Sequence, residues 1–113
     1  MPFTDTAKNA AVNGVAGGAT WISLHTADPG TTGTAEVTGG SYARVQTTWG
    51  AAASGSRVGS QAVINVPAGT TITHWGIWSA STSGTFYYSG TLPASETFGS
   101  AGTYGLTPTL TAS

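Results

Sequence analysis

Residues 59–79 read GSQAVINVPAGTTITHWGIWS, and the two runs inside that stretch decide the fold class. In 59–66, Ala62, Ile64 and Val66 leave an extended chain on one side, because successive side chains of a strand point to opposite faces. In 71–79, Ile72, His74, Gly76 and Trp78 oppose Thr73, Trp75 and Ile77, so neither face is polar. A strand that is apolar on both sides is either central under the N-terminal helix or half-buried against another subunit.

The same grammar extends outward. Short runs rich in Thr, Val, Ile, Trp and Tyr, separated by Gly, Pro, Ser and Asn, predict strands near 20–26, 41–49, 59–66, 71–79, 84–91 and 103–110, with a weaker one near 95–99. Residues 68–71 (AGTT) and 81–84 (STSG) carry turn chemistry that joins hairpins. Before them, TDTAKNAAVNGVAGG predicts a short helix. Thr4 or Asp5 caps its start, Gly17 and Gly18 stop it, and Ala7, Ala11 and Val15 form a narrow stripe for docking on a sheet. The expected fold is mainly β: an antiparallel β-sandwich or small jelly-roll-like barrel of about seven strands with one short N-terminal helix. With no linker or internal repeat, residues 1–113 read as a single β domain, with 1–18 as helix and arm and 20–110 as the sandwich.

Composition narrows the function. Charged residues are 6 % of the 113, the net charge is −1, and Lys8, Arg44 and Arg57 form no run. Such a chain has no field to steer a phosphate backbone or an anionic lipid surface, which argues against nucleic-acid and membrane partners. Disorder is not implied, because 39 % of the residues are hydrophobic, four Trp and four Tyr among them. Without cysteine there is no disulfide, thiolate metal site or Cys nucleophile. The start, MPFTDTAKNAAVNGVAGG, lacks the basic beginning and long apolar run of a signal peptide, and no stretch approaches a membrane span.

Residues 22–49 hold His25, Asp28, Glu36 and Arg44, residue types used for acid/base work and metal binding. Their spacing favours structure. Asp28, Pro29 and Gly30 have turn chemistry, and a turn at Gly39 and Gly40 would bring Glu36 to Arg44 and staple a long excursion to the next strand. No phosphate-cradling loop, HExxH or GxSxG is present, so no catalytic, cofactor or metal residues are assigned. Loops on a rigid scaffold carry recognition, which makes 31–40, with Thr31, Thr32, Gly33 and Thr34, the candidate contact surface. Trp75 and Trp78 are the candidate aromatic platform. Trp75 exposed and coplanar with Tyr88 would support stacking on sugar, whereas burial would assign the rings to packing.

The segment SLHTADPGTTGTAEVTGGSYARVQ (23–46) resembles small bacteriophage structural proteins of the tail fibre or minor tail type. The matching motif is Thr26, Asp28, Pro29, Gly30, Glu36, Tyr42 and Arg44, with Val45 intervening between Arg44 and Gln46 where the family runs directly on. The likeness continues through TITHWGIWSASTSGTFYYSGTL (71–92) and covers about 5–110. It implies a non-enzymatic virion structural protein that needs no cofactor, assembled in the host cytoplasm and released by lysis. The expected partners are its own copies, as a trimer or ring, and other virion proteins of the tail or the major capsid protein. Two alternatives are a capsid decoration protein that stabilises the shell and a carbohydrate-binding module for a host-surface glycan.

Overall fold

The computed structural model describes residues 4–18, 20–53 and 55–111. Helix α1 (Asp5–Gly18) is capped as its sequence predicts, with the Ala7 amide donating to Thr4 Oγ1 at 3.2 Å. Eight strands follow among the described residues: β1 (Trp21–His25), β2 (Val45–Gln46), β3 (Ser56–Val58), β4 (Ala62–Val66), β5 (Thr70–Trp78), β6 (Phe86–Phe98), β7 (Gly102–Leu106) and β8 (Thr109–Thr111). All pairings are antiparallel, in a four-stranded sheet of order β2-β1-β5-β6 and two-stranded sheets β3-β8 and β4-β7. The chain is therefore mainly β with one short N-terminal helix, as expected.

The two deciding runs behave as their patterns require. On β4, Ala62, Ile64 and Val66 are buried while Val63 and Asn65 face outward. β5 lies inside the four-stranded sheet and buries Ile72, Trp75, Gly76, Ile77 and Trp78. One core cluster draws Ile22 and Leu24 from β1, Ile64 from β4, Ile77 from β5, Leu92 from β6, Leu106 from β7 and Leu110 from β8. Fully burying one such aliphatic side chain contributes roughly 1.5–3 kcal/mol.

The helix does not cover β5. It packs against β3 and β8, and Ala7 and Ala11 of its expected docking stripe are exposed. Val15 of that stripe does pack on the core, and polar anchors complete the docking: Asn9 Oδ1 accepts the Gly55 amide at 2.7 Å, and Asn13 Oδ1 accepts Arg57 Nη1 at 3.0 Å. Those bonds satisfy a loop amide and a guanidinium, which two alanine methyl groups would leave unpaired.

Strand boundaries shift for local reasons. The runs expected at 84–91 and 95–99 are one strand, β6, with a register break where Leu92, Pro93, Ala94 and Ser95 stand opposite Thr73. Pro93 is tolerated there because a bulge demands no regular ladder N–H. The run expected at 103–110 divides around Thr107 and Pro108 into β7 and β8, and the Pro108 carbonyl accepts the Gly59 amide at 2.8 Å. β3, in SRV, carries too weak a pattern to be read. β2 keeps only Val45 and Gln46 of 41–49, because Tyr42 and Arg44 turn back toward Glu36.

Candidate functional site

Between β1 and β2 the chain makes the excursion 26–44, which lies over the Ser23, Gly76 and Trp78 face of the four-stranded sheet. It opens on the turn read from sequence: Asp28 Oδ1 accepts the Gly30 amide at 2.9 Å, and Pro29 is buried. The Pro29 carbonyl then accepts the amides of Gly33 and Thr34 at 3.0 and 3.1 Å. Gly33 has φ +77°, and a Cβ there would overlap the Trp78 indole, so glycine is required both by conformation and by the close approach.

From this turn the chain returns along the edge of β1. The Thr26 amide donates to the Ala35 carbonyl at 2.9 Å and the Val37 amide to the Leu24 carbonyl at 3.0 Å. β2 occupies the same edge farther on, beside Trp21 and Ile22. Between the two, the Leu24 amide donates to the Tyr42 hydroxyl at 3.1 Å, and that hydroxyl donates to Glu36 Oε2 at 2.7 Å. Burial, and then the Glu36 acceptor, push the Tyr42 phenol far above its ordinary value, so it stays a donor. Tyr42→Phe removes the acceptor of a buried amide and a donor to a carboxylate. It is expected to lower stability by about 1–3 kcal/mol, read as a lower urea midpoint at pH 7.

Arg44 closes the excursion. Its Nε and Nη2 bind Glu36 Oε2 and Oε1 at 2.9 and 2.8 Å, a two-pronged pair whose side chains are 8 % and 19 % exposed for Arg44 and Glu36. Nη1 donates to the carbonyls of Ala80 and Ser83 at 3.0 and 2.8 Å, and the guanidinium stacks 3.7 Å from the Trp78 ring centroid. Burial works to raise the Glu36 pKa, but the Arg44 and Tyr42 hydrogen bonds and the Arg44 charge outweigh it and hold the carboxyl below the usual range. One arginine thus ties the excursion to the turn between β5 and β6.

Sequence reasoning brought Glu36 and Arg44 together but missed what lies beneath them. Trp78 Nε1 donates to Ser23 Oγ at 2.9 Å, Ser23 Oγ lies 2.7 Å from His25 Nε2, and His25 Nδ1 lies 2.8 Å from the Thr34 carbonyl. Because an indole only donates and a carbonyl only accepts, Nδ1 carries the proton and Nε2 accepts from the Ser23 hydroxyl. Phe86 packs edge-on against His25 and Trp78, at 6.1 and 5.0 Å between centroids. It fits because Gly76 has no side chain: a Cβ there would stand 2.6 Å from the Phe86 ring and 2.8 Å from Ser23 Oγ. Burial lowers the His25 pKa, outweighing the Thr34 carbonyl and the Glu36 charge, which act to raise it. The signal was the period of two on β1, which sends Ser23 and His25 to the face that Gly76 shares across the register.

The remaining candidates divide by exposure. Thr26, Asp28, Thr31, Thr32 and Thr34 are exposed, and Gly33 faces inward on Trp78. Trp75 and Trp78 form no open platform: they are 7 % and 8 % exposed, and Trp75 meets Tyr88 at an interplanar angle of 47°. Ser23 and His25 resemble a nucleophile and its base, yet both are fully buried and both ring nitrogens are engaged.

A protein-family model described as the podophage GP4 fiber I protein gp80 matches residues 3–109. No curated protein matches the chain.

Proposed function

The chain belongs to the podophage GP4 fiber I protein gp80 family and is a structural tail-fibre component of a bacteriophage virion; on that premise we propose that it acts without catalysis, as one unit, through contacts between copies. The observation that carries this reading is the excursion itself. The Pro29 carbonyl that accepts the Gly33 and Thr34 amides, the Thr34 carbonyl bound by His25 and the seat of Gly33 on Trp78 hold 31–34 within the chain itself, so Thr31, Thr32 and Thr34 meet a neighbour with little ordering left to do. Of the charged side chains described, only Asp28 and Glu96 are exposed, a surface on which copies stack without charge repulsion. The neighbours proposed are further copies, as a trimer or ring, and adjoining tail proteins, with assembly in the host cytoplasm and release by lysis.

The decoration and glycan readings have less support. A decoration protein favours segments that order only on the shell, and this excursion is ordered beforehand. Sugar stacking has no open Trp75 and Tyr88 pair to use. Gold-labelled antibody against the chain, viewed on purified virions by electron microscopy, is expected to mark the tail fibres. Label over the head would sink the fibre reading in favour of decoration.

A further inference from the structure

The fibre reading leaves the buried Ser23, His25 and Trp78 chain unexplained. Its proton positions are fixed at both ends, by the indole donor and by the Thr34 carbonyl. A second proton on His25 would sit on Nε2, and Ser23 Oγ would then accept from both the imidazolium and Trp78. The Ser23 hydroxyl proton would be turned away from its acceptor inside a fully buried site. The charged groups facing the ring offer little relief. His74 lies across the register on β5, Arg44 approaches from the segment before β2, and Glu36 lies on the excursion, already bound by Arg44 and Tyr42. From β6, Phe86 meets the ring edge-on. What covers the ring is the excursion, whose Thr34 carbonyl caps Nδ1 and whose Gly33 rests on Trp78 and Phe86.

We infer that residues 26–36 form an acid-released strap, which closes over the sheet while His25 is uncharged and opens when that ring takes up a proton, uncovering Trp78 and Phe86. The open strap lets the imidazolium reach water, so the open form binds a proton more readily than the closed one. Linkage then sets the sign: acid favours opening, and the open-to-closed ratio rises by up to tenfold per pH unit below the ordinary His range until closed His25 itself titrates. Above that range the ring is neutral in both forms and pH has no effect through it.

The test is hydrogen exchange of the full chain by NMR at pH 7.5, 6.5 and 5.5, expressed as protection relative to the intrinsic rate at each pH. The Val37 amide, which donates to the Leu24 carbonyl of β1 where the strap ends, and the Thr26 amide, which closes the base of the strap on the Ala35 carbonyl, are expected to lose up to about tenfold of protection per unit below pH 6.5 while the β4 and β7 ladder amides hold theirs. Equal loss in both sets would overturn the strap, since the proton would then act on the whole fold, and so would no loss at all. His25→Gln is expected to leave the strap amides insensitive to pH. Should that variant not fold, the ring nitrogen shifts of the unaltered protein decide: the neutral Nδ1–H form at pH 7.5 supports the strap, and a charged ring or the Nε2–H form there overturns it.

Discussion

Arg44→Ala is expected to destabilise the chain by about 3–5 kcal/mol, the range for breaking a buried ion pair by removing one partner. The loss comes mostly from what is left behind. Glu36 keeps one hydroxyl donor, from Tyr42, and must hold its charge where it is 19 % exposed. The carbonyls of Ala80 and Ser83 lose a shared donor, and the face of Trp78 is uncovered. A domain of this size has only about 5–15 kcal/mol in total, so the urea midpoint at pH 7, followed by tryptophan fluorescence, should fall steeply. An unchanged midpoint would mean that the pair is solvated and worth no more than a surface bridge. Arg44→Lys is expected to recover only part of the loss, because a single ammonium cannot reach both carboxylate oxygens and both carbonyls at once. The sign with pH follows from Glu36. Its folded pKa lies below the unfolded value, so its contribution is complete above the ordinary carboxylate range and is lost as pH falls through the folded pKa. The gap between the native chain and Arg44→Ala should therefore narrow in acid.

That clamp was half legible in the sequence. Asp28, Pro29 and Gly30 announce a turn by local chemistry, and Glu36 and Arg44 flank a glycine turn, so their meeting required nothing beyond a hairpin. The carbonyls of Ala80 and Ser83 lie far along the chain from Arg44, and no local rule brings them to it. β4 was legible because one face is polar enough to show the period of two, whereas β5, apolar on both faces, announced burial without saying what covers it. The cover is the excursion on one face and the core on the other, with the helix held elsewhere by Val15 of its stripe and by Asn9 and Asn13, polar residues that an apolar-stripe argument passes over. β6 reads in the sequence as two runs, 84–91 and 95–99, and only the register with β5 reveals the bulge that carries one strand through Pro93. The mainly β class thus followed from residues 59–79, but not the pairing: the turn at 68–71 joins no hairpin, since β4 pairs with β7 and β5 with β1 and β6, and the site likewise depended on contacts distant in sequence.

Trp78→Ala is expected to cost about 3–5 kcal/mol, the usual range for emptying a buried indole site, and its consequences should concentrate on the excursion. Trp78 is where four separate constraints meet: Gly33 rests on its ring, Arg44 stacks on its face, Phe86 packs at its edge, and Nε1 donates to Ser23. Trp78→Phe keeps an aromatic surface but leaves Ser23 without its donor, and is expected to lose about 1–3 kcal/mol. The difference between the two variants separates ring volume from the hydrogen bond. Combined with Arg44→Ala, the cycle measures the stack itself. Residues in contact typically couple by about 0.5–3 kcal/mol, so Arg44→Ala together with Trp78→Ala should cost less than the two single losses added. If the losses add to within about 0.3–0.5 kcal/mol, guanidinium and indole act independently and the excursion is held by its edge bonds to β1 instead. Sub-additive losses would mean that the charged clamp and the aromatic seat close as one unit. A neighbour pressing on Thr31 and Thr32 would then be resisted by Arg44 and Trp78 together, which is the rigidity that a loop displayed on a fibre requires.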